Sequence, residues 1–282
     1  IRPRGGGRIL LGLVPLLAVA LFYLVASESR HAQNTHDKLL PTASAMVEAI
    51  KMMASVDPLT GEAPLLVDTA ASLKRISTAL VIATGITLIL GLVIGLLPMM
   101  KAGMGPLVAA IAVIPPIAIL PILFIVFGLG EVSKIALIVI GVFGLGEVSK
   151  IALIVIGITP VMVRDLAAHV GAIPEEQLIK AQTLGASTWQ TALRVALPQA
   201  MPRLFMAVSL ALGPAWVFLI SAEAIAADVG LGYRIFLVRR YLSMDIIIPY
   251  VIWISLLAVL MDVALTFISR RAFPWAYPKG GH

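Results

Sequence analysis

The stretch ISTALVIATGITLILGLVIGLL, residues 76–97, runs for 22 residues without a charged side chain. A helix needs about 20 mostly apolar residues to cross the roughly 30 Å hydrocarbon layer of a bilayer. Because unpaired backbone groups cannot face lipid, this stretch predicts a transmembrane helix. Gly91 and Gly95 form a small-xxx-small pair within it, which predicts that a second helix packs closely there.

The composition of the whole chain agrees with that stretch. Its 282 residues are 60% hydrophobic and 13% charged, and its mean hydropathy is +1.03. Soluble chains are only about 45–50% apolar and about 25% charged. A soluble fold of this size could not bury so much apolar surface. The sequence therefore predicts an all-α integral membrane protein.

Several classes of protein are excluded by the residue content. The chain has no cysteine, which excludes disulfide frameworks, cysteine-ligated zinc, iron–sulfur clusters and thiol catalysis. Its net charge is +6, but the basic residues lie at the ends of apolar runs. That placement indicates anchors at the lipid interface and not nucleic-acid binding. The scattered histidines predict no metal site, and no hydrolase motif is found.

The test of length and hydropathy, applied along the chain, predicts six transmembrane helices. They lie at about residues 9–25, 76–97, 106–127, 151–166, 204–226 and 246–268. The first is expected to be an uncleaved helix, since no clear small-x-small cleavage site follows it. Three arginines precede it and Arg30 alone follows closely, which predicts cytoplasmic termini. An apolar helical face over residues 45–53 predicts a short interfacial helix.

Proline and acidic residues inside the spans mark a candidate translocation pathway. Pro115, Pro116 and Pro121 must break the backbone ladder of the third span, which predicts either a packing kink or a pathway wall. Glu223, with Ser221 beside it, falls near the outer end of the fifth span. A carboxylate in hydrocarbon costs at least ~2.5 kcal/mol, so Glu223 should face the bundle interior. It is expected either to pair with a neighbouring helix or to line the pathway.

Other charged residues near the spans have simpler interpretations. Asp262 is expected to pair with a nearby cation. A basic group on the outer side is interpreted as interfacial anchors, or as residues that steer an anion or dock a binding protein. Its members are Lys74, Arg75, Arg234, Arg239 and Arg240.

An exact tandem duplication interrupts the pattern of spans. Residues 126–141 read VFGLGEVSKIALIVIG, and residues 142–157 repeat them letter for letter. Because each apolar part is too short to cross alone, one span is assigned to the second copy and its extension. The first copy is predicted to be a loop or a re-entrant insert. GLGEVSK lacks the adjacent Gly-Lys of a phosphate loop, so its lysines are not phosphate ligands.

Residues 174–198, PEEQLIKAQTLGASTWQTALRVALP, predict two short helices with a glycine break. Pro174 suits a helix start, and Gly185 suits a helix end with positive φ. Ser187 and Gln190 have the spacing of a capping box, which begins a second helix that Pro198 is expected to stop. The local pattern fits either an amphipathic pair on the membrane surface or a docking element for another protein.

This segment resembles the EAA loop of ABC-transporter permeases. The family pattern is Glu-Ala-Ala, three residues, Gly, nine residues and then Ile-x-Leu-Pro. Here nine residues separate Gly185 from Val195-Ala196-Leu197-Pro198, whereas Ile179-Lys180-Ala181 replaces Glu-Ala-Ala. The resemblance implies that coupling to an ATPase involves residues Ala181, Leu184, Gly185, Ala186, Ser187, Trp189, Leu197 and Pro198.

Further stretches resemble the nitrate/sulfonate/taurine/bicarbonate branch of these permeases. They are IPPIAILPILFIVFGLG at 114–130, KAQTLGASTWQ at 180–190, AEAIAADVGLGY at 222–233 and RRAFPW at 270–275. The resemblance implies a type I ABC importer bundle in the bacterial inner membrane that imports a small anion. It implies a non-catalytic subunit that binds no cofactor itself, with ATP and magnesium on the partner ATPase.

The partners implied are a second copy of the chain, an ATPase dimer and a periplasmic or lipid-anchored substrate-binding protein. A self-sufficient secondary transporter or channel is the alternative. That class is expected to carry paired ionisable groups at mid-membrane or an inverted repeat, and the sequence shows neither.

Overall fold

The computed structural model describes residues 5–33, 39–56, 58, 61–129 and 145–277, and every regular element in these ranges is helical. The helices are α1 (Gly5–Gln33), α2 (Ala43–Ala54), α3 (Pro64–Leu96), α4 (Pro98–Ile111), α5 (Pro116–Leu129), α6 (Leu145–Val170), α7 (Glu175–Thr183), α8 (Thr188–Thr191), α9 (Leu197–Ala226), α10 (Leu231–Arg239) and α11 (Met244–Ala272). A π turn (Ala192–Ala196) joins α8 to α9, and a 3-10 turn (Pro274–Ala276) follows α11.

Five helical segments of the described chain are long and apolar enough to cross a membrane. They are Leu13–Ala32, Pro64–Leu96, Glu147–Val170, Thr188–Ile225 and Met244–Ala272. The pair Pro98–Ile111 and Pro116–Leu123 would form a sixth crossing if it spans as one bent unit. The predicted all-α membrane fold is confirmed.

The third predicted span, 106–127, is not one helix. Pro106 lies inside α4, and α4 and α5 meet at a bend of 86°. The chain turns through residues 112–115, where the N–H groups of Val113 and Ile114 donate to carbonyls three residues back. Pro115 and Pro116 are two successive residues without an N–H donor, and a helix cannot continue through them. Pro116 instead begins α5, where a missing donor costs nothing.

The helix after the capping box does not stop at Pro198, so that expectation is wrong. Helical structure continues from Thr188 to Ile225, and the long connection predicted between the fourth and fifth spans shrinks to the residues around α7. The reason is the π turn, in which Leu197 N–H donates to Ala192 O across five residues. The wider turn places Pro198 in the first turn of α9, where its missing donor is tolerated.

The chain forms two compact units. The first comprises Ile1–Val67 and Arg234–Ile254. In it, the hydroxyl of Tyr23 on α1 donates to Pro41 O at 2.9 Å, and Ser27 Oγ donates to the same carbonyl at 3.1 Å. These bonds tie α1 to the turn before α2, the helix predicted over residues 45–53. Thr42 caps α2 by accepting from Ala45 N–H.

The second unit comprises Asp68–Tyr233 and Ser255–His282. Helix α6 contacts α4, α5 and α9 in this unit. Its crossing with α3 is close because both contact positions on α3 are glycines. A Cβ at Gly91 would lie 2.7 Å from Leu166 Cδ2, and one at Gly95 would lie 2.6 Å from Val170 Cβ. The close helix approach predicted for this glycine pair is confirmed.

The tandem duplication lies only partly in the described chain. Residues 145–157 of the second copy form the first half of α6. The loop or re-entrant insert predicted for the first copy falls mostly on residues 130–141, outside the described residues.

Candidate functional site

Residues 174–198 contain α7, a turn at Gly185, α8 and the π turn that leads into α9. Gly185 ends α7 with φ +83°, and Ala186 N–H donates to Ala181 O at 3.1 Å, which closes the turn. Ser187 Oγ accepts from Gln190 N–H at 3.3 Å, while Gln190 Oε1 accepts from Ser187 N–H at 2.9 Å. The positive φ and the capping box are both confirmed. Hydrogen bonds within the segment itself therefore define the shape of the turn.

Large apolar side chains project from this segment into open space. Leu184 is 82% exposed and Trp189 is 71% exposed. By contrast, Leu178 packs on the buried cluster that contains Ala196 and Ala200, which holds α7 against the bundle. A segment that is packed on the bundle and presents an exposed tryptophan and leucine has the features of a docking element.

An apolar groove runs beside the same segment. It has a volume of about 500 Å³ and lies between the last turns of α3 and the start of the long helix. Leu92 and Leu96 form one wall, and Trp189 and Leu193 form the other. The indole therefore stands at the rim of a groove rather than in the core.

A buried charged cluster occupies the other end of α9. The Glu223 carboxylate is fully buried and accepts from Arg75 Nη1 at 2.6 Å and from Ser72 Oγ at 2.8 Å, both on α3. Arg75 Nη2 also donates to Glu147 Oε1 at 2.7 Å, and Lys150 Nζ donates to the same oxygen at 2.7 Å. Two cations and two carboxylates thus neutralise one another across α3, α6 and α9.

The cluster also holds the turn that follows α9. Arg75 Nη1 donates to Val229 O at 2.7 Å. The next three backbone N–H groups point at side chains of α3 and α9. Gly230 N–H donates to Asp68 Oδ1 at 3.0 Å, Leu231 N–H to Ser72 Oγ at 2.9 Å and Gly232 N–H to Glu223 Oε2 at 2.8 Å. Distant residues of α3, together with Glu223 of α9, therefore supply the hydrogen bonds of this turn.

The structure changes the interpretation of three charged residues. Of the two expectations for Glu223, pairing with a neighbouring helix is confirmed. Arg75 is 5% exposed and pairs with Glu223 and Glu147, so it serves neither as an interfacial anchor nor as an exposed residue that steers an anion or docks a binding protein. The cause is Glu223, which draws the guanidinium inward. Asp262 accepts a hydrogen bond from Ser209 of α9, and within the described chain it forms no ion pair, contrary to expectation.

Sequence reasoning missed most of this cluster. Asp68 and Ser72 were not singled out, and Glu147 and Lys150 were considered only as part of a repeat. A signal was present, because a carboxylate such as Glu223 in an apolar span requires a cation on another helix. Among the described residues, no group of three or more metal-ligating side chains could hold an ion.

The candidate pathway residues are not gathered in one polar cavity. Pro115 lies in the bend between α4 and α5, and Pro121 is exposed on α5. Pro116 faces α6, with its Cβ 3.2 Å from the position a Cβ would take at Gly157. Ser221 is half-buried and its hydroxyl donates to Val217 O at 2.8 Å in its own helix. A pathway role for these residues stays a prediction.

Two comparisons decide the family. The family described as "Binding-protein-dependent transport system inner membrane component" matches residues 85–274. The taurine transport system permease protein TauC of Escherichia coli (strain K12) is 33% identical over 206 residues, which cover 73% of this chain and 69% of that protein. The chain belongs to this family. It is a permease, the non-catalytic membrane component of a binding-protein-dependent ABC importer.

Another relative agrees with that assignment, and two solved structures share the fold. The permease is 27% identical to the nitrate import permease protein NrtB of Leptolyngbya laminosa over 73% of this chain and 68% of that protein. A bacterial alginate ABC transporter, solved with an alginate-bound periplasmic protein, has a TM-score of 0.63 at 18% identity, covering 94% of the permease and 96% of that chain. The MetNI methionine ABC transporter in an inward-facing conformation has a TM-score of 0.54 at 19% identity, covering 71% and 93%. At such identities the two structures show the fold alone.

Proposed function

We propose that the permease is driven by a separate ATP-binding cassette ATPase that docks on residues 174–198. ATP and magnesium would bind to that partner. The permease itself has no Gly-x4-Gly-Lys-[Ser/Thr] phosphate loop and is proposed to bind no cofactor. Its task is to convert closure of the ATPase dimer into opening of a path through the membrane.

The observation that carries this proposal is the preformed docking segment. Gly185 and the Ser187 cap fix its shape, and Leu184 and Trp189 stand exposed on it. A rigid segment loses little conformational entropy on binding, so its apolar anchors contribute fully to affinity. Ala181 and Ala186 are small and flank the turn, which lets a partner surface approach the backbone.

The same segment is joined directly to the membrane bundle. Helical structure runs for 38 residues from Thr188 to Ile225, through Leu197 and Pro198. A push on Trp189 would therefore be carried along one continuous helix to the Glu223 cluster. The π turn at Ala192–Ala196 lies between Trp189 and the bundle, and such turns are frequently found at functional sites.

The substrate is proposed to be a small anion or a zwitterion with an anionic group. The names of the relatives support this class, since they include taurine, nitrate and aliphatic sulfonate permeases. Bicarbonate belongs to the same chemical class. A periplasmic or lipid-anchored binding protein is proposed to deliver the substrate.

The proposed assembly contains two copies of this chain in the bacterial plasma membrane, with residues 174–198 and both termini on the cytoplasmic side. The polar cluster around Glu223 then lies toward the opposite face. Labelling of single cysteines in intact cells tests this orientation, because the chain has no natural cysteine. A cysteine at Thr183 should react only after permeabilisation.

Uptake measurements in cells test the driving force. Uptake of radiolabelled taurine and nitrate is measured in cells that express the permease with an ATPase and a binding protein. ATP depletion should stop uptake, whereas an ionophore that collapses ion gradients should leave the uptake rate unchanged. The opposite pattern, or uptake by the purified chain alone in vesicles, would establish a secondary transporter or channel instead.

A further inference from the structure

A second cavity, of about 310 Å³, lies between α4 and α6. Two basic side chains, Lys101 of α4 and Arg164 of α6, line it together with apolar groups such as Ile94, Val108 and Val163. We infer that this cavity binds the headgroup of an anionic phospholipid. The inference does not depend on the proposed ATPase partner or substrate.

Both cations lack a partner within the described chain. The side chains of Lys101 and Arg164, both exposed residues, form no ion pair or hydrogen bond there, although Lys101 Nζ lies 3.7 Å from the position of a Cβ at Gly171. The other basic side chains near α6 differ in this respect, since Lys150 pairs with Glu147 and Arg203 with Asp165. Two unpaired cations in one cavity favour an anionic ligand.

The depth of the cavity matches the headgroup layer. Arg164 is next to Asp165, whose Oδ2 accepts from Arg203 Nε at 2.8 Å. On α9, residues 204–222 follow Arg203 without a charge, a length of about 28 Å at 1.5 Å per residue. The depth at which the charged residues Arg203 and Arg164 lie therefore marks one boundary of the hydrocarbon layer. Lipid phosphates lie at that boundary, and basic side chains reach them there.

The apolar surroundings favour a lipid over a free anion. Helix α4 has no buried residue in this chain, and its Met99 is 87% exposed. Leu107 of the same helix and Val113, just after it, are also exposed. A phospholipid would place its phosphate between the two cations and its acyl chains along this apolar surface. A free inorganic anion would use the cations alone and leave the apolar wall uncovered.

Native mass spectrometry of the full-length protein tests the inference. Purified protein in detergent is titrated with dioleoylphosphatidylglycerol or, separately, with dioleoylphosphatidylcholine. The wild type should bind the anionic lipid preferentially. The double variant K101Q/R164Q should bind it at least about tenfold more weakly, because it loses two charge-assisted contacts. Equal binding of both lipids by the wild type would overturn the inference.

A matched control separates this site from general charge attraction. The double variant K180Q/R194Q removes the same charge from exposed residues outside the cavity and should keep the preference for the anionic lipid. An equal loss in both double variants would contradict a specific site. If K101Q/R164Q is not monodisperse, the single variants K101Q and R164Q are compared in the same way, and each should bind several-fold more weakly. Displacement of the lipid by millimolar inorganic phosphate would show that the cavity takes a free anion.

Discussion

Arg75 on α3 and Glu223 on α9 form a buried ion pair, with Nη1 and Oε1 2.6 Å apart, across 148 residues of sequence. The pair joins the first long helix of its unit to the last turn of the long helix that begins at the docking segment. Through Arg75 it also includes Glu147 of α6 and the carbonyl of Val229. Three helices and one turn are thus fastened at a single point.

Removal of Glu223 should destabilise the protein strongly. In Glu223→Ala the Arg75 guanidinium loses one of its two carboxylate partners, and breaking one side of a buried pair costs about 3–5 kcal/mol. We expect a lower yield of monodisperse protein and a clearly lower midpoint of thermal unfolding in detergent. The double variant Arg75→Leu/Glu223→Leu should lose less, because Glu147 keeps Lys150 as its partner.

The pair Asp165–Arg203 supplies the control for that prediction. Its side chains are 30% and 34% exposed. Loss of one partner from such a pair costs at most about 1 kcal/mol, so Asp165→Ala should shift the midpoint much less. A larger effect for Asp165→Ala than for Glu223→Ala would contradict the importance of the buried cluster.

The turn after α9 should tolerate no side chain at Gly230. Its φ is +140°, and a Cβ there would lie 2.6 Å from Glu223 Cδ and 2.7 Å from Arg75 Nη1. Gly230→Ala should therefore lower the unfolding midpoint by strain and by displacement of the ion pair. Gly213→Ala is the matched variant, since Gly213 is helical and has nothing within 4 Å of its Cβ position. That variant should be neutral or slightly stabilising.

The crossing of α3 and α6 should be equally sensitive to the size of the side chains at its contact positions. A Cβ at Gly95 would lie 2.6 Å from Val170 Cβ, whereas Gly85 has open space on the same helix. Overpacking costs about 1–3 kcal/mol, so Gly95→Ala should reduce thermal stability and Gly85→Ala should not. Similar midpoints of thermal unfolding for the two variants would mean that α3 and α6 can move apart at this crossing without loss of stability.

Hydropathy and local hydrogen-bond chemistry predicted much of this fold. The charge-free run before Pro98 predicted a membrane helix, and Gly91 with Gly95 predicted a close helix crossing. Gly185 and Ser187 predicted a turn and a cap, because those features depend only on neighbouring residues. Such signals are local, and tertiary contacts do not override them here.

Long-range features could not be obtained in the same way. The pairing of Arg75 with Glu223 depends on which helices are neighbours, and one sequence does not state that. The continuation of the helix past Pro198 depends on a π turn, for which residues 192–196 carry no distinctive pattern. The prolines Pro115 and Pro116 predicted a break in the third span. The angle of 86° between α4 and α5 could not be predicted, because it depends on how α5 packs against α6 and α9.

The coupling proposal predicts separate effects of two variants at the docking segment. Trp189→Ala removes an exposed anchor, and truncation of such an anchor costs about 2 kcal/mol or more. That loss corresponds to roughly 30-fold weaker binding of the ATPase. Gly185→Val forces a β-branched residue to φ +83° at a position with nothing within 4 Å, which should misplace the segment while the bundle stays folded.

Gly61→Val is the control for backbone strain. Gly61 has φ +70° and open space around its Cβ position, and it lies outside the docking segment. Its replacement imposes a similar local strain and should leave transport unchanged. Equal loss of transport in Gly61→Val and Gly185→Val would assign the effect to general instability.

The most direct measurement is substrate-stimulated ATP hydrolysis by the permease, ATPase and binding protein together in nanodiscs. The wild type and Gly61→Val should show hydrolysis that rises when the loaded binding protein is added. Gly185→Val and Trp189→Ala should show little or no rise, although the permease is present in equal amount. Full stimulation in both docking-segment variants would contradict the account.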